Sequence, residues 1–338
     1  MITNNKVYLN SKIEVALSIL NSNSTDFEKL REKAEQITKA IFANRRALFN
    51  PIYVSNICLA DCPYCGYRIS NKGLARKTLS PNQSIKEAEF LKERDVKNVL
   101  VLAGDYRHDK YIEMLTQNIS AIKNSVNPKW LGIEVATLDQ EEYVILKKSG
   151  AKSVTVFQET YNKRRYNKLH TNIEYKGDFE YRYNSLERAI NAGFEEVGLG
   201  VLYGVGFWKE DTLAMIEHAL NLEKKYPNVR LRFSFPRLQL STGQDAECQT
   251  EIVKNIDLIK AIVTVRTIFP TANLVLTGRE NSSFLLDLLS VVNVVGYDGS
   301  TKVGGYSIDR NGLEQFELNQ NSDFDSFLNS FSKAGYTY

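Results

Sequence analysis

Cys58-Leu59-Ala60-Asp61-Cys62-Pro63-Tyr64-Cys65 contains three of the chain's four cysteines, spaced C-x3-C-x2-C with an aromatic just before the last. Three thiolates on one short loop can hold three irons of a [4Fe–4S] cluster and leave the fourth iron without a protein ligand. An open iron can bind a small molecule, so such a cluster points to chemistry more than to electron storage. Zinc is a poorer match, because a structural zinc site wants four protein ligands. The remaining cysteine, Cys248, lies far away in the polar stretch Gly243–Gln249, and none of His108, His170 and His218 stands at zinc-finger spacing to the triplet. Three cysteines this close cannot all pair as disulfides, and no secretory signal precedes them.

Outward from the loop, short β-branched runs alternate with amphipathic stretches. Eight runs read as strands: Ile52–Ile57, Val96–Ala103, Leu131–Ala136, Ser153–Gln158, Glu196–Tyr203, Leu231–Arg237, Leu274–Thr277 and Val291–Val295. Several are apolar at nearly every position, as strands buried on both faces are. Between them lie helical patterns such as Ile85–Glu93, Asp139–Lys148, Asn184–Ala192, Asp211–Lys225, Glu251–Ile268 and Phe284–Leu289, with Ser80-Pro81 reading as a helix cap followed by proline at the first turn. Eight such units in about 250 residues match a (β/α)8 barrel. An open doubly wound sheet is the alternative. The barrel is preferred because chemistry-bearing residues follow the carboxyl ends of many successive strands, where a barrel places its site. The chain divides into a helical extension (1–50), the barrel (51–300) and a tail (301–338) ending in a helix near Phe324–Lys333.

The 338 residues are 43% hydrophobic and 25% charged, which is globular composition. Lys+Arg 43 against Asp+Glu 40 gives no electrostatic footprint for nucleic acid. No apolar run approaches the length that spans a bilayer. A cytoplasmic, reducing location is expected, and it suits an oxygen-sensitive cluster.

The motif resembles that of the radical S-adenosylmethionine (radical SAM) enzymes. The resemblance extends along nearly the whole chain and narrows to the aromatic amino acid lyases. It is carried by Asn44–Asn56, Cys65–Arg68, Arg76–Leu79, Leu102–Tyr106, Gly132–Val135, Val156–Tyr161, Asp178–Arg182, Gly198–Gly204, Ser234–Leu238, Leu276–Glu280 and Val303–Tyr306, in that order. They are similar to segments of the tyrosine lyase of thiamine biosynthesis (2-iminoacetate synthase), the tyrosine lyase of [FeFe]-hydrogenase maturation, and the tryptophan lyase that makes methylindolic acid.

That resemblance implies a set of roles. Cys58, Cys62 and Cys65 hold the cluster, whose free iron chelates S-adenosylmethionine. Tyr64 lies beside the adenine, Gly104 and Asp105 grip the cofactor's ammonium, and Glu134 meets the ribose hydroxyls. Glu159 meets the cofactor or the substrate amine, and Arg182, at the start of the helix before strand five, reaches the cofactor carboxylate. For Glu134 and Glu159 an internal salt bridge is the competing reading, and Asp105 stands where many relatives have Glu. Arg279 is expected to hold the substrate carboxylate, with Tyr106, Ser300 and Thr301 as further substrate contacts. Tyr106 matches the tryptophan enzyme, where thiamine-type relatives more often have histidine. Arg237 reads as a brace at the barrel top. His108 and His170, flanked by charges, read as exposed and without a role. The implied partners are an aromatic amino acid, an electron donor such as flavodoxin or ferredoxin, and a thiazole synthase. With no cysteine after Cys248, the hydrogenase-type second cluster is not expected. A purely cluster-binding scaffold is the reading from another class, to be separated by a deoxyadenosine assay.

Overall fold

Strands that are largely apolar need cover on both faces, and most positions of the eight strands in this chain are buried. In the computed structural model, which describes residues 2–107, 110–171, 174–239, 246–309, 311–312, 314–316, 318 and 321–338, the strands close into one parallel barrel in chain order. They are β1 (Ala47–Ser55), β2 (Asn98–Ala103), β3 (Trp130–Glu134), β4 (Ser153–Glu159), β5 (Glu196–Val201), β6 (Arg230–Ser234), β7 (Asn273–Leu276) and β8 (Val294–Gly296). Because β1 pairs with both β2 and β8, the open doubly wound sheet is excluded.

Element edges differ from the sequence reading for local reasons. β1 starts at Ala47 rather than Ile52, since Asn50 and Pro51 interrupt the apolar pattern yet still pair with Val99 and Leu100. β8 starts later than Val291, because the amides of Val291 and Val292 bond back to Leu288 O and finish the preceding helix. The helix expected over Glu251–Ile268 begins at Asn255, where Asp257 accepts from the Lys254 amide. Helices Ile2–Leu20 and Ser24–Phe42 pack outside the barrel against Asn255–Ile268. The helix Phe324–Lys333 stacks Phe327 on Tyr297 at 3.8 Å.

The barrel floor is closed by a buried ion pair. Glu196 accepts from Trp130 Nε1 at 2.7 Å, from Asn273 Nδ2 at 3.2 Å and from Arg232 Nη1 at 3.4 Å. The Arg232 guanidinium also lies 4.0 Å from the centre of the Trp130 ring, which occupies the space above Gly132 that a Cβ would fill. The cavity inside the barrel lies above this floor, toward the carboxyl ends of the strands. Among the described residues no helix is long and apolar enough to cross a membrane.

Candidate functional site

The loop between β1 and the helix Pro81–Glu93 is held by its own backbone and by Arg76. Ile69 N donates to Ala60 O and Cys65 N to Cys62 O, while Arg76 donates to the carbonyls of Asn56, Tyr67 and Arg68. Leu59 N donates to Asp105 O at 2.9 Å, which docks the loop on the end of β2. That approach needs Gly104, because a Cβ there would sit 2.2 Å from Ile57 O.

All three loop cysteines are free thiols, Cys62 buried and Cys58 and Cys65 partly so. Burial, and then the neighbouring Cys65, push the Cys58 thiol up to about 12. Burial raises Cys62 and Cys65 as well. Thiols crowded like this become thiolates only when a strong cation compensates them. Among the described residues no three His, Cys, Asp or Glu side chains converge closely enough for one metal ion. Ligands spread around the corners of a cube need no such convergence, so the donor set fits a cluster better than zinc.

Tyr64 is fixed by a partner the sequence reading missed. Its hydroxyl lies 2.6 Å from His170 Nε2, and His170 Nδ1 lies 2.9 Å from Tyr166 O. A carbonyl only accepts, so Nδ1 carries the proton and Nε2 accepts from Tyr64. Burial and the charges of Lys176 and Arg182 hold His170 well below its ordinary range, hence neutral. The expectation of an exposed His170 is thus corrected: it is 3% exposed and its ring lies 4.0 Å from that of Tyr166, tilted by 42°. His108 lies outside the described residues. Cys248, expected far away, is buried in the same apolar layer as Ala60, Cys62, Tyr64 and Leu169.

At the end of β4, Glu159 accepts from Lys176 Nζ at 3.0 Å and Arg182 Nη2 at 3.4 Å, all three buried. Arg182 Nε also donates to Phe157 O at 2.7 Å. It lies in the short helix Phe179–Tyr183, separate from the helix Ser185–Asn191 that leads to β5. Burial alone would raise the Glu159 carboxyl, but the two cations hold it below the ordinary range. Glu159 has φ 67° at a register shift against β5, a left-handed conformation that only its surroundings can impose on a non-glycine residue.

The cavity above the floor opens toward solvent and is lined by Tyr64, Cys65, Glu134, Glu159, Arg279 and Thr301 among others. Burial and the nearby Glu159 push the Glu134 carboxyl up to about 7, and it has no hydrogen-bond or ion-pair partner among the described residues. Asp105 Oδ1 is likewise buried and unpartnered, and burial raises that carboxyl. Two carboxylates waiting for donors beside a thiol loop fit a ligand bearing ammonium and hydroxyl groups.

Arg279 lies 3.4 Å from the centre of the Phe316 ring and donates to Arg237 O at 3.2 Å. It has no ion-pair partner among the described residues, and burial lowers it. Arg237 itself is paired with Glu280, as a brace would be. Thr301 lines the cavity, but its hydroxyl is occupied by Phe316 O and Gln315 N. Ser300 faces a separate outer cleft with Arg94 and Asp298, and Tyr106 packs edge-on against Tyr111 at 5.3 Å rather than lining the cavity. Lys176, Gln315 and Phe316 were missed. None belongs to a motif; only the fold brings them to the site.

The radical SAM superfamily profile matches residues 52–222, and that of the biotin and thiamin synthesis associated domain matches residues 234–337. A 2-iminoacetate synthase of Escherichia coli (strain K12) is 31% identical over 291 residues, 86% of this chain and 76% of the relative. A 3-methylornithine synthase of Methanosarcina acetivorans is 26% identical over 251 residues, 72% of this chain and 66% of the relative. The crystal structure of HydG, a maturase of the [FeFe]-hydrogenase, superposes with TM-score 0.89 at 29% identity, covering 99% of this chain and 76% of that one.

Proposed function

Because the chain belongs to the radical SAM superfamily, a lyase working with a [4Fe–4S] cluster and S-adenosylmethionine, we propose that it cleaves the Cα–Cβ bond of L-tyrosine, giving p-cresol and dehydroglycine. When bound, the reduced cluster and S-adenosylmethionine supply a 5′-deoxyadenosyl radical able to take hydrogen from the substrate amine. The chain's own residues bind, orient and shield. Cys58, Cys62 and Cys65 are the cluster ligands. Asp105, with its unpartnered oxygen, takes the cofactor ammonium against the bend at Gly104, and Glu134 takes the ribose hydroxyls. Tyr64, its hydroxyl held by His170, offers its ring to the adenine. Arg182 faces the cofactor carboxylate. Glu159 is already engaged by Lys176 and Arg182, so its work is to hold those two cations in place.

The observation that carries the substrate reading is Arg279: a partly buried guanidinium in the cavity that holds Cys65, stacked on Phe316, with no carboxylate at ion-pair distance among the described residues. An amino acid carboxylate is the ligand such a fork suits. The mostly aromatic and aliphatic wall, including Phe49, Tyr53, Phe157 and Leu202, suits an aromatic side chain. The enzyme takes an electron donor as well as a substrate; a flavodoxin or ferredoxin of a reducing cytoplasm would serve, and a thiazole synthase would consume the product.

The test is anaerobic reconstitution with S-adenosylmethionine, dithionite and each aromatic amino acid in turn, with products read by mass spectrometry. Tyrosine should give p-cresol in step with 5′-deoxyadenosine. Uncoupled deoxyadenosine without p-cresol rules tyrosine out, and a methylindole product from tryptophan would replace this reading by the tryptophan one.

A further inference from the structure

Residues 314–316 cross over the cysteine loop and are fastened to it. Gly66 N donates to Gln315 O at 2.9 Å, and Gln315 N donates to Thr301 Oγ1 at 3.2 Å. The crossing requires glycine at position 66, where a Cβ would lie 2.7 Å from Gln315 O and 2.8 Å from Glu314 O. With its backbone fixed, Gln315 has little choice of side-chain direction. Its Oε1 accepts from the Tyr53 hydroxyl at 2.7 Å, and its Nε2 lies 3.5 Å from Cys65 Sγ. Against the Cys65 thiolate, the opposite amide orientation would set a carbonyl oxygen facing sulfur, two acceptors together, so a ligating sulfur selects the nitrogen.

We propose that Gln315 is a positioning residue that donates a hydrogen bond to the Cys65 sulfur and thereby raises the reduction potential of the cluster which that thiolate ligates. The inference rests on Cys65 being a cluster ligand. Reduction adds negative charge that is shared with the ligand sulfurs. A donor at a sulfur stabilises the reduced form more than the oxidised one, so its removal lowers the potential. Tyr53 holds the amide in register, and Phe316, the next residue, holds the segment down by stacking on Arg279. The amide is thus supplied by the segment that roofs the cavity and not by the cysteine loop.

The experiment uses the anaerobically reconstituted full chain, without substrate or S-adenosylmethionine, in an alkaline buffer. Iron and sulfide are quantified, and the cluster is titrated with a reductant while its electron paramagnetic resonance signal is followed. Gln315→Ala removes the amide. Gln315→Glu keeps the length and the acceptor for Tyr53 but has no donor. Phe316→Ala loosens the roof and leaves the donor. Both Gln315 variants should load iron as the parent does and show about a tenfold smaller reduced-to-oxidised ratio at fixed poise, which for one electron is 59 mV toward lower potential. Phe316→Ala, which loosens the segment but keeps the donor, should shift the potential by less than either Gln315 variant. Parent-like potentials in both Gln315 variants overturn the proposal, as does an equal shift in Phe316→Ala. Loss of iron from both Gln315 variants with the fold intact makes the residue a structural brace and also overturns it. Failure of the underlying ligand reading looks different: Cys65→Ala would then load a full cluster, or the parent would load none.

Discussion

Replacing Arg279 separates binding from folding, because the structure gives the two effects opposite signs. In the free protein its guanidinium is partly buried and lowered by desolvation, and it has no carboxylate at ion-pair distance among the described residues, Glu134 and Glu159 acting on it only from farther off. Its compensation is stacking on Phe316 and one backbone acceptor, Arg237 O. A partly buried cation so poorly paired contributes little to stability, and an apolar replacement of similar volume is commonly neutral or stabilising. Arg279→Met should therefore melt at or above the parent temperature. Substrate binding should fall. A charge-assisted hydrogen bond contributes ~1.5–3 kcal/mol, and every 1.4 kcal/mol is tenfold, so tyrosine affinity should weaken by about tenfold to a hundredfold. Arg279→Lys keeps the charge without the planar fork and should fall between. The assay is isothermal titration of the cluster-loaded enzyme with tyrosine, in the presence of S-adenosylmethionine, with binding of S-adenosylmethionine measured separately as a control. Parent-like tyrosine affinity in Arg279→Met would refute the reasoning, and so would a large loss of thermal stability, since it would make Arg279 a structural ion.

Three further outcomes follow from other parts of the site. Alanine at Cys58, Cys62 or Cys65 should abolish reductive cleavage of S-adenosylmethionine, while Cys248→Ala should keep its iron; the reverse pattern in iron analysis would reassign the ligands. Glu159→Gln leaves Lys176 and Arg182 buried without their anion, and breaking a buried pair this way costs about 3–5 kcal/mol. Urea unfolding of the cluster-free protein measures that, and a change under about 1 kcal/mol would mean that the cations find water instead. Glu134 is raised to about 7 from an ordinary 4.5, so the folded state holds a proton that the unfolded state has released. The stability linked to it is present below the lower value and lost as pH rises through the higher one. Unfolding free energies of the ligand-free parent should drop across that window relative to Glu134→Gln, and parallel pH curves would show that this carboxyl titrates normally.

Much of the fold and part of the site were legible in the sequence, and the divide has a physical origin. A parallel barrel needs strands apolar on both faces, and β5, buried at all six positions, carries that signature in its residues. The cysteine triplet is local and therefore readable. Lys176 and Gln315 are not, because each reaches the site by tertiary placement from a stretch of ordinary polarity. His170 misled for the same reason: Lys168 and Thr171 face outward while the histidine between them turns inward to cap its helix and receive Tyr64. Strand ends were misplaced where a helix cap consumed apolar residues, as at Val291 and Val292.

The amide that faces the Cys65 sulfur lies 250 positions later in the chain. At about 5–20 residues per second of synthesis, the thiols are added to the chain roughly 12–50 s before that amide. During this interval the cysteine loop has no roof. Whatever delivers iron and sulfide during that time meets thiols that the finished protein half conceals. Loading a completed chain meets residues 314–316 already seated on Gly66. Cluster insertion should therefore be faster during synthesis than after it, and a variant with a loosened roof should reconstitute faster in the test tube than the parent.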